Sequence, residues 1–160
     1  MSTYKQSIPQ ADTLMGSMRS MGYSFEAAIA DVIDNSISAN CNVVKLFFPS
    51  EPTDELVVGI LDDGEGMPAD VLFEAMRYGS TDSELERRAN DLGRFGLGMK
   101  SASLSQCRIL TVVSLYADKL SSYSWDFNCI QKRKEWIVKE LSQTEIKSLP
   151  YIDSLLELSH

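Results

Sequence analysis

The chain has 160 residues, 44% of them apolar and 24% charged, the composition of an ordinary globular domain long enough to bury a sizeable core. Its net charge of −8 makes it a poor candidate for direct binding of nucleic acid, where contacts to phosphates supply most of the affinity. No apolar run approaches the roughly 18 residues of a membrane span, and no signal-peptide pattern is present. The three cysteines, Cys41, Cys107 and Cys129, share no metal-ligand spacing and read as free thiols of a cytoplasmic protein without membrane attachment.

In chain order, Leu14, Met15, Met18 and Met21 fall at helical spacing and predict a helix over residues 11–21, with Asp12 as the cap of its start and Gly22 ending it. Ser24 is a good N-cap for a second helix over residues 25–39, with Phe25, Ile29, Val32, Ile33 and Ile37 as its apolar face. Asp31 and Asn35 stand four residues apart on that helix and share a face. Two polar groups stacked on an otherwise apolar helix form either a solvated stripe or a site. Strands are expected over residues 43–49 and 56–62. The second runs into Asp62-Asp63-Gly64-Glu65-Gly66-Met67-Pro68, a turn that exposes both backbone and carboxylate. Pro68 suits the start of a helix over residues 69–78.

Residues 79–92 are polar and charged, with little to bury, and are expected to form a loop over a site. Then comes Gly93-Arg94-Phe95-Gly96-Leu97-Gly98-Met99-Lys100-Ser101. Glycines at this density let backbone N–H groups approach a ligand closely. A helix beginning near Met99 would aim its positive end at the same place, with Lys100 as a point charge, and the natural guest is a phosphate. The charge balance changes sign here. Residues 1–92 carry 16 acidic and 6 basic side chains, and residues 93–160 carry 7 and 9. Strands over 108–116 and 120–128 follow, the latter with Tyr123, Trp125 and Phe127 alternating, then a basic turn at 131–134. A short strand over 135–141, a helix entry near Ser142, a break at Pro150 and a leucine-bearing tail complete the chain.

The glycine stretch is not a P-loop, because Met99 intervenes before Lys100 and no strand leads into it. It is not a dinucleotide fingerprint either, because Ser101 stands where a third glycine is needed. A nucleophilic serine or cysteine lacks a histidine partner, since the single histidine is the terminal His160.

The three motifs in order, Asp31/Asn35 on a helix, Asp62 to Gly66 at a strand end and Gly93 to Gly98 in a loop, resemble the GHKL ATPase superfamily. That group includes gyrase-type topoisomerases, heat-shock chaperones, histidine kinases and MutL-type proteins. The wording Asp34-Asn35-Ser36-Ile37, Tyr78-Gly79-Ser80 and Gly93 to Ser101 is most similar to MORC-like bacterial members. The resemblance covers about residues 10–128 and implies ATP and Mg²⁺ as ligands. It implies that Asn35 holds the metal, that Asp62 accepts from the adenine amino group, and that Gly64, Gly66 and Met67 lie beside the base. Gly93, Gly96, Leu97, Gly98, Met99 and Lys100 would hold the phosphates, with residues 79–92 as a lid.

Two departures qualify the resemblance. Hydrolytic members carry Glu four residues before the Asn as the base for water, and here that position is Asp31, one methylene shorter. The motif also commonly reads Asn-x-x-Asp-Ala, and here Ser38 precedes Ala39. A late Gly-Thr pair of the superfamily is absent. Residues 1–160 are therefore expected to be a single ATP-binding domain that stops before its last strand and a transducer domain.

The fold expected is α+β: a two-layer Bergerat sandwich with one mixed, mainly antiparallel sheet and helices on one face. The expected function is Mg²⁺-dependent ATP binding with hydrolysis, ordering a lid and driving homodimerisation or partner engagement. The alternatives are a non-hydrolysing nucleotide-sensing interaction module and a histidine-kinase catalytic domain.

Overall fold

In the computed structural model, residues 8–20, 22–50, 56–77 and 98–158 are described. Helix α1 (Ala11–Arg19) starts after Gln10, whose side chain makes no capping bond, and Asp12 lies in its first turn. Helix α2 (Phe25–Ser38) is capped as its sequence predicts, the Ala27 N–H donating to Ser24 Oγ at 3.2 Å. Strands β1 (Val44–Phe47) and β2 (Gly59–Asp62) pair antiparallel, with Val44 opposite Asp62 and Phe47 opposite Gly59. Helix α3 (Ala69–Met76) follows Pro68, and helix α4 (Gly98–Gln106) begins within the glycine stretch. Strands β3 (Ile109–Tyr116) and β4 (Lys119–Asp126) form a long antiparallel hairpin through the turn Ala117-Asp118, both residues at positive φ.

The end of the chain differs from expectation. Residues 127 and 128 do not continue β4, and residues 131–134 are not a simple turn. Helix α5 (Phe127–Arg133) occupies this stretch, capped by Asp126, whose Oδ1 accepts from the N–H groups of Asn128 at 2.8 Å and Cys129 at 3.2 Å. An aspartate that satisfies two orphan N–H groups stops the strand and starts the helix. The strand expected over 135–141 shrinks to β5 (Lys139–Glu140), paired with Tyr123 and Ser124 of β4. Helix α6 (Gln143–Lys147) and helix α7 (Ile152–Leu158) flank Pro150, with Tyr151 at φ +64° between them.

The class is α+β with antiparallel pairing, as expected, but the sheet differs in detail. Among the described residues the strands form two sheets, β1–β2 and β3–β4–β5, and all the ladders are antiparallel. No ladder joins β2 to β3. The loop after β2 makes the connection with a side chain instead. The Met67 N–H donates to Ser114 Oγ at 2.6 Å, and that hydroxyl donates to the Met67 carbonyl at 3.0 Å. This satisfies backbone groups that a ladder would otherwise pair.

The core lies on one face of β4, where Tyr123 and Trp125 meet Ala11 and Met15 of α1, Leu72 and Met76 of α3, Leu104 of α4, and Phe127 and Ile130 of α5. The indole Nε1–H of Trp125 donates to the Met76 carbonyl at 2.9 Å, satisfying both groups inside the core. Helix α2 stands apart from this core and lies mainly along α4. Its buried residues are Ala28 and Ser36. Phe25 and Ile37, expected on a core-facing stripe, are 41% and 52% exposed. The small residues Ala28 and Ser36 are the buried ones, and Phe25, Ile29 and Val32 border a cleft.

Candidate functional site

A cleft of about 2670 Å³ is lined by residues of α2, β2, β3 and α7. Asp31, Asn35, Asp62, Gly64, Gly66 and Met67 all line it. Helix periodicity brings Asp31 and Asn35 to one face of α2, and the end of β2 brings Asp62 to meet that helix.

Asp62 is held on both oxygens. Ser36 Oγ donates to Oδ2 at 2.8 Å, and the Gly64 N–H donates to Oδ1 at 3.0 Å. A carboxylate has about four lone-pair directions, so it retains capacity for a ligand while its orientation is set. Its neighbour Asp63 has a different task. Asp63 Oδ1 accepts from the Asn42 and Val43 N–H groups at 2.7 and 2.8 Å, clamping the entry to β1. These backbone donors favour the ionised form and hold the Asp63 carboxyl below its ordinary pKa. Consecutive residues at a strand end point to opposite sides, which separates the two aspartates.

Asn35 Nδ2 donates to the Asp31 carbonyl at 2.7 Å. Only the nitrogen of an amide can donate to a carbonyl, so Oδ1 is the atom left for a hard cation. The Asp31 carboxylate is met by the Tyr23 hydroxyl, which donates to Oδ2 at 2.9 Å. The phenol pKa is raised, chiefly by that hydrogen bond and then by the charge of Asp31.

The glycines of the turn are explained by close approach. Gly66 lies at φ +64°, and a β-carbon there would collide with the Leu115 carbonyl oxygen. A β-carbon at Gly64 would lie 2.8 Å from Ala39 Cβ and 2.9 Å from the Ala39 carbonyl oxygen, which itself accepts from the Glu65 N–H at 3.0 Å. Ala39 and Gly64 therefore fit as a pair of small residues where α2 meets the turn. Ser38 donates to the Asp34 carbonyl at 2.9 Å, a local bond within its own helix.

Met67 is half-buried, packed against the core, with its backbone fixed by Ser114. Gly98 and Met99 form the first turn of α4. Gly93, Gly96, Leu97 and the expected lid at 79–92 lie outside the described residues. Lys100 is 2% exposed, and its Nζ donates to the Arg77 carbonyl at the end of α3. Burial lowers its pKa to about 8. The ammonium meets the end of α3, and Lys100 also lines the cleft. At the other end of α4, the Arg19 guanidinium donates to the carbonyls of Leu104, at 2.7 Å, and Cys107. A cation at a helix C-terminus satisfies its orphan carbonyls.

Three residues that shape the site were not singled out in the sequence: Ser36, Ser114 and Tyr23. Ser36 and Ser114 are both 4% exposed. For Ser114 the signal was a single hydroxyl among apolar neighbours, in Val112-Val113-Ser114-Leu115, whereas Ser36 stood in the Asp34-Asn35-Ser36-Ile37 wording with no role of its own. Buried hydroxyls need partners, and here the partners are the turn's carboxylate and backbone. Tyr23 gave no signal, since it precedes the helix and its reach depends on the tertiary path.

Among the described residues no helix is long and apolar enough to cross a membrane, and no cluster of His, Cys, Asp and Glu has the form of a metal centre. The latter does not bear on Mg²⁺ held by one amide oxygen and a nucleotide. A comparison with protein families matches residues 23–160 to the family described as histidine kinase-, DNA gyrase B-, and HSP90-like ATPase. No curated protein matches the chain.

Proposed function

We propose that this chain, which belongs to the histidine kinase-, DNA gyrase B- and HSP90-like ATPases, is a Mg²⁺-dependent ATP-binding domain that hydrolyses its nucleotide. Nucleotide binding orders residues 79–92 as a lid and drives dimerisation or engagement of a partner. The observation that carries the reading is the shared cleft, with a pre-oriented Asp62 at one place and Asp31 and Asn35 along the helix that borders it.

Asp62 accepts a hydrogen bond from the adenine amino group. Guanine carries an oxygen on the corresponding edge, which a carboxylate repels. Ser36 and Gly64 keep the carboxylate from turning away, and Gly66 lets the chain pass close to β3. Asn35 presents Oδ1 as one ligand of Mg²⁺, whose other positions suit water and phosphate oxygens. When bound, the metal offsets the charge on the triphosphate. Gly93, Gly96 and Gly98, with N–H groups from Leu97 to Lys100, hold the phosphates. Asp31 acts as the base that orients the attacking water.

Calorimetry with ATP and Mg²⁺ tests the binding reading. Asp62→Asn and Asn35→Ala are each expected to weaken binding by about 10–100-fold, the worth of one hydrogen bond to a charged group. Absence of any binding heat with adenine nucleotides on folded protein would overturn it. Turnover is tested separately: Asp31→Ala keeps binding and loses hydrolysis. The second reading, a nucleotide sensor that does not hydrolyse, is favoured by the shorter reach of Asp31. Binding without turnover in the wild-type protein would select it.

A further inference from the structure

We propose that Tyr23 is a positioning residue for Asp31, and that Gln106 fixes Tyr23 in place to do this. The inference rests on the reading of Asp31 as the base. Tyr23 stands just before Ser24, the N-cap of α2, and its side chain extends along the first two turns of the helix to reach Asp31 Oδ2 at 2.9 Å. Gln106 Nε2 donates to the Tyr23 carbonyl at 2.7 Å, so Tyr23 is held at its backbone while its hydroxyl holds the carboxylate. All three residues line the cleft.

The chemistry gives this arrangement a purpose. An aspartate side chain on a helix surface has two rotatable bonds and several accessible rotamers. A base must hold its water within a few tenths of an ångström of the productive position, and a misplacement of about 1 Å can cost on the order of 100-fold in rate. Asp31 is one methylene shorter than the glutamate its position resembles, so orientation matters more. With Oδ2 held by Tyr23, the carboxylate is oriented and keeps both lone pairs of Oδ1 for the water. The Asp31 carbonyl is tied at the same time by Asn35 Nδ2 at 2.7 Å, which fixes the backbone from which the carboxylate projects. Gln106 is the last residue of α4, and Gly98 of the glycine stretch is the first. The bond from Gln106 therefore ties the Tyr23 backbone to α4.

Steady-state ATP turnover tests this with wild-type protein, Tyr23→Phe, Gln106→Ala, Asp31→Ala and the double variant Tyr23→Phe/Asp31→Ala. Tyr23→Phe removes one oxygen from a partly exposed side chain. It is expected to lower kcat about tenfold with KM unchanged. The calorimetric Kd for ATP stays at the wild-type value. Gln106→Ala gives a smaller fall in the same direction, and Tyr23→Phe has no further effect once Asp31 is alanine. The proposal is overturned if Tyr23→Phe leaves kcat unchanged or raises it while Asp31→Ala abolishes turnover. It is also overturned if KM and Kd change along with kcat, which marks a merely structural role. If wild-type protein binds ATP without turnover, or Asp31→Ala hydrolyses normally, Asp31 is not the base, and both readings fall together.

Discussion

Ser36 donates to Asp62 across 26 residues of sequence, and that bond joins α2 to the end of β2. Both groups line the cleft proposed to hold the nucleotide, so the hydroxyl would serve stability and affinity at once. Ser36→Ala is expected to cost about 1 kcal/mol of stability by urea denaturation, the lower end for a bond to a partly exposed carboxylate. A severalfold loss of ATP affinity should accompany it, because Asp62 loses one of its two restraints. Gly66 gives a sharper test. At φ +64°, with the Leu115 carbonyl where a β-carbon would sit, Gly66→Ala suffers both backbone strain and a clash. A loss of at least about 1–3 kcal/mol is expected. Gly16, where a β-carbon would meet nothing within 4 Å, is the control: Gly16→Ala within α1 should stabilise by up to about 1 kcal/mol. At this scale the sequence was informative about the residues of the cleft and silent about their restraints. Asp62 could be distinguished from Asp63 by its motif. That Asp63 clamps Asn42 and Val43 instead depends on where β1 begins beside it.

Helix α6 shows how a short element is held by its ends. Ser142 Oγ accepts from the Glu145 N–H at 3.3 Å, and Glu145 Oε2 accepts from the Ser142 N–H at 2.8 Å, a complete capping box. Lys139 of β5 donates to the other Glu145 oxygen at 2.5 Å. Ser142→Ala is expected to cost about 1 kcal/mol, measured by chemical denaturation. The Lys139 hydrogen bond and those from Ser142 lower the Glu145 pKa from 4.5 to about 2. A carboxyl depressed in the folded state contributes stability above its unfolded pKa and loses it as pH falls through the folded one. The stability difference between wild type and Glu145→Gln should therefore be constant above about pH 4.5 and shrink steadily toward pH 2. Helix α5 illustrates the opposite kind of legibility. Alternation of Tyr123, Trp125 and Phe127 reads as one continuous strand, and Phe127 does stay in the same core. The Asp126 side chain ends the alternation by offering a cap, a choice between two locally consistent patterns that packing of Ile130 into the core resolves. Helix α1 was legible from its helical period, and helix α2 from period and the Ser24 cap together.

For the whole molecule, the core between β4 and four helices carries the fold, and the cleft is bordered by α2 with its exposed Phe25. A ligand that bridges α2, the turn after β2 and the start of α4 would tie these parts to one another. ATP with Mg²⁺ at 100 times its Kd is expected to raise unfolding free energy by about 2.7 kcal/mol, or on the order of 5–10 °C in Tm for a chain of this size. Asp62→Asn should remove most of that shift in a thermal melt. From the sequence alone came the α+β class, the family, and the grouping of Asp31, Asn35 and Asp62 to Gly66. The class follows from short-range spacing, helical and strand period, whereas the family and the grouping follow from the resemblance that the three ordered motifs carry. The tertiary structure alone decided that the strands divide into β1–β2 and β3–β4–β5, that Ser114 and not a ladder joins them, and that Lys100 caps α3. It also brought the Tyr23 hydroxyl to Asp31 and Gln106 to the Tyr23 carbonyl. These outcomes depend on which buried polar groups find partners across distant segments, and no local pattern in a sequence encodes that pairing.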